Sequence, residues 1–291
     1  MKMKNKIFKS KLSYTVLFGA LALLGGCQAD FVDNGITPKT ALNADFTITK
    51  ISQNKFTLTS SNNKYLFSDW DLDEGFKEYT QGNNNMTLFL PDAGTYTLKH
   101  RVIGAGGVYS DVVTKTVTVD TSDPIAYNLV QGGRFENATD IGKWTVDNLG
   151  GVVTFADGWV KFTNNAGSWG QAAIQQPITV VAGKKYEIDM LFKTGGLKNG
   201  WFKVYACTTK PTAGVEYKGD ILVAEVAIWG DNIGPKKGRF SSILNPDSGT
   251  KTKNFVTFTQ SGTIYLSIQC GAENLKDGVS ISRVELRAVS E

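Results

Sequence analysis

Thr95-Tyr96-Thr97-Leu98-Lys99-His100-Arg101-Val102 puts Tyr96, Leu98, His100 and Val102 on one parity and Thr95, Thr97, Lys99 and Arg101 on the other. Successive side chains of a strand point to opposite faces, so a period of two marks a strand with one face buried and one wet. Working outward, Phe46-Thr-Ile-Thr-Lys-Ile51 and Lys55-Phe-Thr-Leu-Thr59 repeat the pattern, and no stretch beyond Leu42 carries a helical period. Gly, Asn and Asp fall between the apolar runs. The chain holds 31 Gly against 7 Pro, which suits tight turns and excludes collagen-like or Pro-rich repeats. Short alternating runs separated by turn residues predict an all-β chain built as sandwiches or barrels.

Hydrophobic residues make up 41% of the chain and aromatics 11%, a globular composition rather than a disordered one. Its 291 residues leave room for about two domains of ~150 residues. The composition breaks at Asp120-Thr-Ser-Asp-Pro124, where Asp and Ser favour turns and Pro restricts its neighbour. The expected partition is a leader over 1–26, a tether over 27–43, a first β domain over 44–120, a linker over 121–126 and a second β domain over 127–291. In the second domain strands are expected at Gly151–Phe155, Trp159–Thr163, Gln171–Thr179, Lys184–Lys193, Gly200–Thr209, Leu222–Trp229, Lys253–Thr259, Gly262–Gly271 and Val279–Ala288. That many strands in one domain fit a two-sheet jelly roll.

The leader carries Lys2, Lys4, Lys6, Lys9 and Lys11 and no acid, followed by an apolar run from Leu12 to Leu24. The run is too short for a comfortable membrane span and suits a signal peptide. Without residues 1–26 the net charge falls from +4 to −1, which leaves no electrostatic footprint for nucleic acid. The chain has one histidine and 3 cysteines, too few thiolates for a zinc site built on cysteine alone.

Leu24-Gly25-Gly26-Cys27 resembles the lipobox of bacterial lipoproteins. The resemblance implies acylation of Cys27, and several acyl chains anchor stably where one does not. The acidic stretch after Cys27 is similar to the surface-export tethers of Bacteroidetes lipoproteins. Ser68-Asp-Trp-Asp-Leu-Asp-Glu-Gly75 and Pro91-Asp-Ala-Gly-Thr-Tyr-Thr-Leu98 resemble two motifs of PKD domains, immunoglobulin-like sandwiches that serve mostly as spacers and adhesion modules. Asp73 stands where those domains have their first motif glycine, and Trp70 and Tyr96 are expected to pack in the core. Asp69, Asp71 and Asp73 lack the order of an EF-hand loop and read as solvated turn carboxylates.

Asn128-Leu-Val-Gln-Gly-Gly-Arg-Phe-Glu136, followed by Trp144, resembles the opening of jelly-roll carbohydrate-binding modules. Gln176-Pro-Ile-Thr-Val-Val-Ala-Gly-Lys-Lys-Tyr-Glu-Ile188 resembles a strand pair of the same modules. Trp201–Tyr205, Lys210–Tyr217 and Ser261–Leu266 look like segments of Bacteroidetes glycan-utilisation lipoproteins, in which a PKD domain precedes such a module. The fold implied is an immunoglobulin-like PKD sandwich followed by a β-jelly roll. Those modules often hold a structural calcium near the opening Glu and an acid before the last strand. Glu136 is present, but Ser282 and Arg283 stand at the second position, so calcium is an open alternative with Glu136 as its candidate ligand.

Sugars present polar rims and apolar C–H faces, so a site for them wants flat aromatics together with amides and charged groups. Five of the 6 tryptophans lie in the second domain. Trp169 sits in Asn164-Asn-Ala-Gly-Ser-Trp-Gly-Gln171, among small and amide residues, and Trp229 precedes Gly230-Asp-Asn-Ile-Gly-Pro235. With Phe202, Val204 and Ala206 facing the core, Trp201, Lys203 and Tyr205 share the opposite face, either a binding surface or the plain outside of the sheet. Asn165, Gln171, Gln175, Asn164 and Glu187 are candidate hydroxyl partners. Trp144, which follows the opening motif, and Trp159, which alternates with Lys161, read as core.

Catalysis has little to work with. A triad would have to recruit His100 from a strand, and no Glu-x-Asp-x-x-Glu run supplies the close carboxylate pair of a glycosidase. Glu187 and Asp189 share a face by parity and keep a hydrolase reading open. Cys207 and Cys270 could bridge in an oxidising compartment, but parity argues against it, since Cys270 shares a face with Leu266 and Ile268 while Cys207 opposes Val204 and Ala206, and buried free thiols are the favoured alternative. The expected protein is a non-catalytic outer-membrane lipoprotein facing the cell surface. It would bind a polysaccharide or oligosaccharide beside an outer-membrane glycan transporter. A structural or adhesive surface protein is the rival.

Overall fold

The structure is a computed structural model that describes residues 35–61, 64–73, 75–76, 78–165, 167–215, 219–244 and 253–289, the side chains of 228–233 excepted. The leader and Cys27 lie outside the described residues, as does the side chain of Trp229. Two β-sandwiches follow one another, each with its own buried cluster.

The first sandwich contains β1 (Phe46–Lys50), β2 (Lys55–Ser60), β3 (Phe67–Asp71), β4 (Thr80–Gly82), β5 (Asn85–Phe89), β6 (Gly94–Ile103) and β7 (Val113–Val119). They pair as a three-stranded sheet, β1-β2-β5, and a four-stranded sheet, β4-β3-β6-β7. The alternation of 95–102 is β6, with Tyr96, Leu98, His100 and Val102 buried. Tyr96 and Leu98 pack with Phe46, Phe56, Leu58 and Leu88 of the facing sheet and with Trp70 of the neighbouring β3, while Val102 packs with Leu42 and Ala44; burying each large apolar side chain contributes about 1.5–3 kcal/mol. The polar tips of the aromatics are satisfied: Trp70 Nε1 donates to the Asn83 carbonyl at 3.2 Å, and the Tyr96 hydroxyl donates to the Asp92 carbonyl at 2.9 Å.

Asp69 and Asp71 are not solvated turn carboxylates. Both are buried on β3, and register places them opposite Arg101 and Lys99 of β6. Arg101 reaches Asp69 at 3.0 Å and Lys99 reaches Asp71 at 3.0 Å, so each carboxylate has its compensating charge one strand away.

The second sandwich contains the short helix α1 (Ala138–Ile141), then β8 (Thr145–Leu149), β9 (Gly151–Ala156), β10 (Trp159–Asn164), β11 (Gly170–Val180), β12 (Lys185–Thr194), β13 (Leu197–Cys207), β14 (Ile221–Ile233) and β15 (Lys236–Arg239). It closes with α2 (Phe240–Ile243), β16 (Phe255–Thr257), β17 (Gly262–Asn274) and β18 (Val279–Ala288). One sheet has the order β15-β12-β18-β10-β9 with β16 also paired to β12, and the other has the order β14-β13-β17-β11-β8. From β10 to β13 each strand crosses to the opposite sheet, and β17 to β18 crosses again, the wrapping of a jelly roll. The inward faces supply Phe162, Ile174, Ile188, Phe192, Phe202, Val204, Leu266, Ile268 and Ile281 to one core.

The sandwiches touch through charged and aromatic groups. Asp73 adopts φ 63°, a left-handed value that Asp tolerates better than most residues, and its N–H donates to Asp71 Oδ1 at 3.2 Å. A glycine here would make the same turn but would lack the carboxylate, which accepts from Arg283 at 3.0 Å and Arg134 at 3.5 Å across the boundary. Asp92 accepts from the Asn128 N–H at 2.7 Å and pairs with Arg287 at 2.5 Å. Phe76 stacks on Trp159 with ring centroids 5.6 Å apart.

Candidate functional site

The outward face of the five-stranded sheet is three transverse rows, each fixed by strand register. Ala227, Trp201, Gly271, Gln171 and Leu149 form the first row, from β14 to β8. Glu225, Lys203, Gln269, Ala173 and Asp147 form the second. Leu222, Tyr205, Ser267, Gln175 and Thr145 form the third. The structure thus brings together five residues singled out from sequence: Trp201, Lys203, Tyr205, Gln171 and Gln175.

The Trp201 indole lies against β17 because Gly271 has no side chain. A Cβ at Gly271 would stand 2.8 Å from Trp201 Cζ2, closer than real Cβ atoms approach, and a tight 3.0 Å from Gln171 Cβ. Lys203 Nζ lies 5.3 Å from the Trp201 ring centroid and 3.6 Å from Glu225 Oε2, so it compensates a buried carboxylate. Gln269 donates to the Ser267 hydroxyl at 2.9 Å. Two acceptors have no such partner: the Oε1 atoms of Gln171 and Gln175 are buried and unbonded, and Gln175 as a whole is 4% exposed. A buried acceptor without a donor costs about 1–3 kcal/mol.

This face, which the sequence leaves as either a binding surface or the plain outside of the sheet, is not open in the structure. Trp201 is 7% exposed and Tyr205 is buried as well. The described start of the connection after β13, residues 208–215, turns back over the sheet. Its neck is tied by the Thr208 N–H donating to Asp220 at 2.8 Å, and Gly214 N–H donates to Asp147 at 2.9 Å. Pro211 and Val215 line the same cavity as Trp201, Gln171 and Gln175, leaving about 20 Å³, room for one water or hydroxyl. Gly219 lies so close to Tyr205 that a Cβ there would stand 2.4 Å from Tyr205 Cβ.

Trp169 stands two residues before Gln171, at the end of this sheet, and is 46% exposed. Asn165 is exposed in the same loop, and its carbonyl accepts from the Ser168 N–H at 3.1 Å. Asn164 is spent on the fold, donating to the carbonyls of Ser168 and Ala272. The backbone of Trp229 continues β14 beside the first row. Asp147, Glu225, Ser267 and Gln269 escaped the sequence reading. The alternation of Tyr265, Ser267, Gln269 and Gly271 with Leu266, Ile268 and Cys270 carried the signal for two of them.

No protein-family model matches the chain, and a search of curated proteins finds no match. Among solved structures it is similar to a carbohydrate-binding module of the β-sandwich superfamily, at 15% identity over 86% of this chain and 99% of that one, with a TM-score of 0.30. A carbohydrate-binding module solved with β-1,4-galactotriose shares 13% identity over 56% of this chain and 100% of that one, with a TM-score of 0.33. A SusE-like protein shares 12% identity over 85% of this chain and 99% of that one, with a TM-score of 0.22.

The residues weighed for other chemistry are engaged. His100 is fully buried, stacked on Trp70 at 3.8 Å; its Nδ1 donates to the Ala44 carbonyl at 2.7 Å, leaving Nε2 to accept from the Ser68 hydroxyl at 2.6 Å. Burial holds its pKa below the usual histidine value, and no substrate reaches it. Glu187 accepts from Asn254 at 3.0 Å, and Asp189 accepts from the Ser241 hydroxyl at 2.9 Å. No disulfide joins Cys207 to Cys270, and burial pushes the Cys270 thiol far up. The calcium position does not fit the ion. Glu136 lies 3.6 Å from Arg134, Ser282 donates to the Gly158 carbonyl at 2.5 Å, and Arg283 is paired with Asp73. An arginine offers a cation no ligand. Among the described residues no group of three or more His, Cys, Asp and Glu could hold a metal.

Proposed function

We propose that the chain is a non-catalytic surface lipoprotein that binds a polysaccharide or oligosaccharide on the outward face of its five-stranded sheet. The observation that carries this reading is the pair of buried, unbonded amide oxygens of Gln171 and Gln175 beside the indole of Trp201. Sugar hydroxyls donate to such oxygens, and a sugar's C–H face stacks on such a ring. A ligand takes this face by displacing Pro211 and Val215, which the Gly214–Asp147 hydrogen bond holds there. Trp169 and Asn165 extend the surface at the sheet end, and Trp229 borders it. A few stacked sugars give modest affinity, which tethering near a transporter raises through effective concentration.

In this reading residues 1–26 are a signal peptide, Cys27 is acylated, 27–43 is a tether, and the sandwich of 44–120 is a PKD-type spacer joined through 121–126 to the binding domain of 127–291. Its partner is an outer-membrane glycan transporter. Metabolic labelling with palmitate tests the anchor: the chain takes label and Cys27→Ala does not.

The burial of Trp201 favours a second reading, in which residues 208–215 are a permanent cap and the chain is a structural or adhesive protein. Affinity gel electrophoresis against β-glucans, xylans, mannans, galactans and α-glucans separates the two. Retardation by one polymer, lost in Trp201→Ala while the melting transition stays cooperative, supports glycan binding on this face. Retardation by no polymer supports the cap.

A further inference from the structure

The opposite face of the same sandwich carries a feature that the glycan site does not use. Across the six-stranded sheet, register sets Lys237 beside Lys193, Lys193 beside Ser280, Ser280 beside Lys161 and Lys161 beside Thr154. The row is outward-facing, since Phe192, Val279 and Phe162, one residue along each of β12, β18 and β10, lie in the core. With Lys236, Trp159, Thr194, Asp157 and Asp277 it lines a cleft of about 700 Å³. Known ligand pockets run from about 300 to 1,000 Å³.

Three of the four lysines here have no ion-pair partner among the described residues. Lys237 pairs with Glu78 of the first sandwich. No ion pair joins Lys161, Lys193 or Lys236 to a carboxylate among the described residues, although Asp157 and Asp277 stand at the cleft wall. Lys237 and Lys193 are direct cross-strand partners, and like charges in that relation destabilise a sheet. The Lys193 ammonium lies 3.8 Å from the Trp159 ring centroid, and Phe76 stacks on the same ring. Burial first, then the charges of Lys237 and Lys161, hold the Lys193 pKa below the usual lysine value. A chain whose net charge is −1 outside its leader has therefore gathered four lysines in one cleft, three of them without an ion pair among the described residues.

We propose that this cleft is a second binding site, for the anionic groups of an acidic polysaccharide. Lys161, Lys193 and Lys236 hold carboxylate or sulfate groups, and the Thr154 and Ser280 hydroxyls meet neighbouring sugar hydroxyls. A polymer fits better than a small anion, because a further cleft of about 500 Å³ continues past the shared Trp159 and Asp157. Single-stranded nucleic acid fits worse. Base binding needs a bare aromatic face, and Trp159 has Phe76 stacked on it and Lys193 over it. The site does not depend on the five-stranded face and stands whether or not that face binds sugar.

The test is titration calorimetry of the full chain with polygalacturonate, chondroitin sulfate, a neutral galactan and a single-stranded oligonucleotide, at about 50 and 300 mM salt. The variant replaces Lys161, Lys193 and Lys236 with Gln. A control replaces the exposed Lys50, Lys143 and Lys210 with Gln, which lowers the net charge equally. Expected is binding of an acidic polymer that weakens about tenfold in the cleft variant, equivalent to about 1.4 kcal/mol, and also weakens at high salt, with the control unchanged. Polygalacturonate against chondroitin sulfate tells carboxylate from sulfate. The proposal is overturned by no binding of either acidic polymer, by equal loss in control and cleft variant, or by an oligonucleotide that binds as tightly as the sugars. Should the triple variant melt early, Lys161→Gln alone is held to the same standard at a several-fold loss.

Discussion

On one face of the C-terminal sandwich the outward row is Ala227, Trp201, Gly271, Gln171 and Leu149, with a loop lying over it. On the other face the row is Lys237, Lys193, Ser280, Lys161 and Thr154, lining an open cleft. Both arise from the same period of two, which sends alternate residues out of a shared core. The difference lies in what outward residues do when covered and when wet. Under the loop, an indole lies on a glycine and two amide oxygens go without donors. In the open cleft, water screens cations whose repulsion a dry site could not tolerate. The covered face is therefore sensitive to shape and hydrogen bonding, the open one to charge and salt.

The largest expected break in this comparison comes at Gly271. Gly271→Val drives a side chain into the Trp201 ring and should lower unfolding free energy by about 2–3 kcal/mol. The matched change on the other face, Thr154→Val, should stay within about 0.5 kcal/mol, because Thr154 is exposed. Urea unfolding of both variants checks the pair, and equal losses would show that the two faces are equally packed.

That sensitivity marks where sequence reading succeeded and where it stopped. The strand expected at Val279–Ala288 is β18 residue for residue, and Trp201, Lys203 and Tyr205 do share a face. Alternation is a local property, so it survives without knowledge of partners. The same parity argues that Trp159 goes outward with Lys161. The expectation of a core position fails for Trp159, which the structure leaves half-buried on the outer face against Phe76. β15 is Lys-Lys-Gly-Arg, with no apolar alternation, and exists because β12 pairs with it. The placing of residues 208–215 over Trp201 rests on Asp147, 67 residues from its partner Gly214. Nothing near Trp201 in sequence reports that cover.

Asp147→Ala sharpens the contrast next. It removes the acceptor that holds Gly214 and should cost about 1–2 kcal/mol, with faster protease cleavage in 208–215. Where a ligand displaces the loop, glycan affinity rises in this variant; where the loop is a permanent cap, no affinity emerges. Gln175→Leu acts in the opposite sense. It replaces a buried, unbonded amide by an apolar group of similar volume and should raise stability by about 1 kcal/mol without ligand. The same change should abolish binding on this face. A loss of stability would mean that the Gln175 oxygen has a donor after all.

The smallest effect belongs to the open face. Burial, followed by Lys237 and Lys161, holds the Lys193 ammonium below its ordinary pKa of 10.5. Between the lowered folded value and 10.5 the unfolded chain binds more protons than the folded one, so stability rises with pH through that window. At neutral pH the charged Lys193 is instead a burden, opposed across the strands by Lys237. Lys193→Gln should therefore be the more stable protein near pH 7, by about 0.5 kcal/mol at low salt. The gap should close as pH climbs towards 10.5, where the native lysine sheds its proton, and should shrink with added salt. Urea midpoints for both proteins across that range decide it. A gap that ignores both pH and salt would mean that Lys193 is held by packing on Trp159 rather than strained by charge, and the cleft would lose its claim to be waiting for an anion.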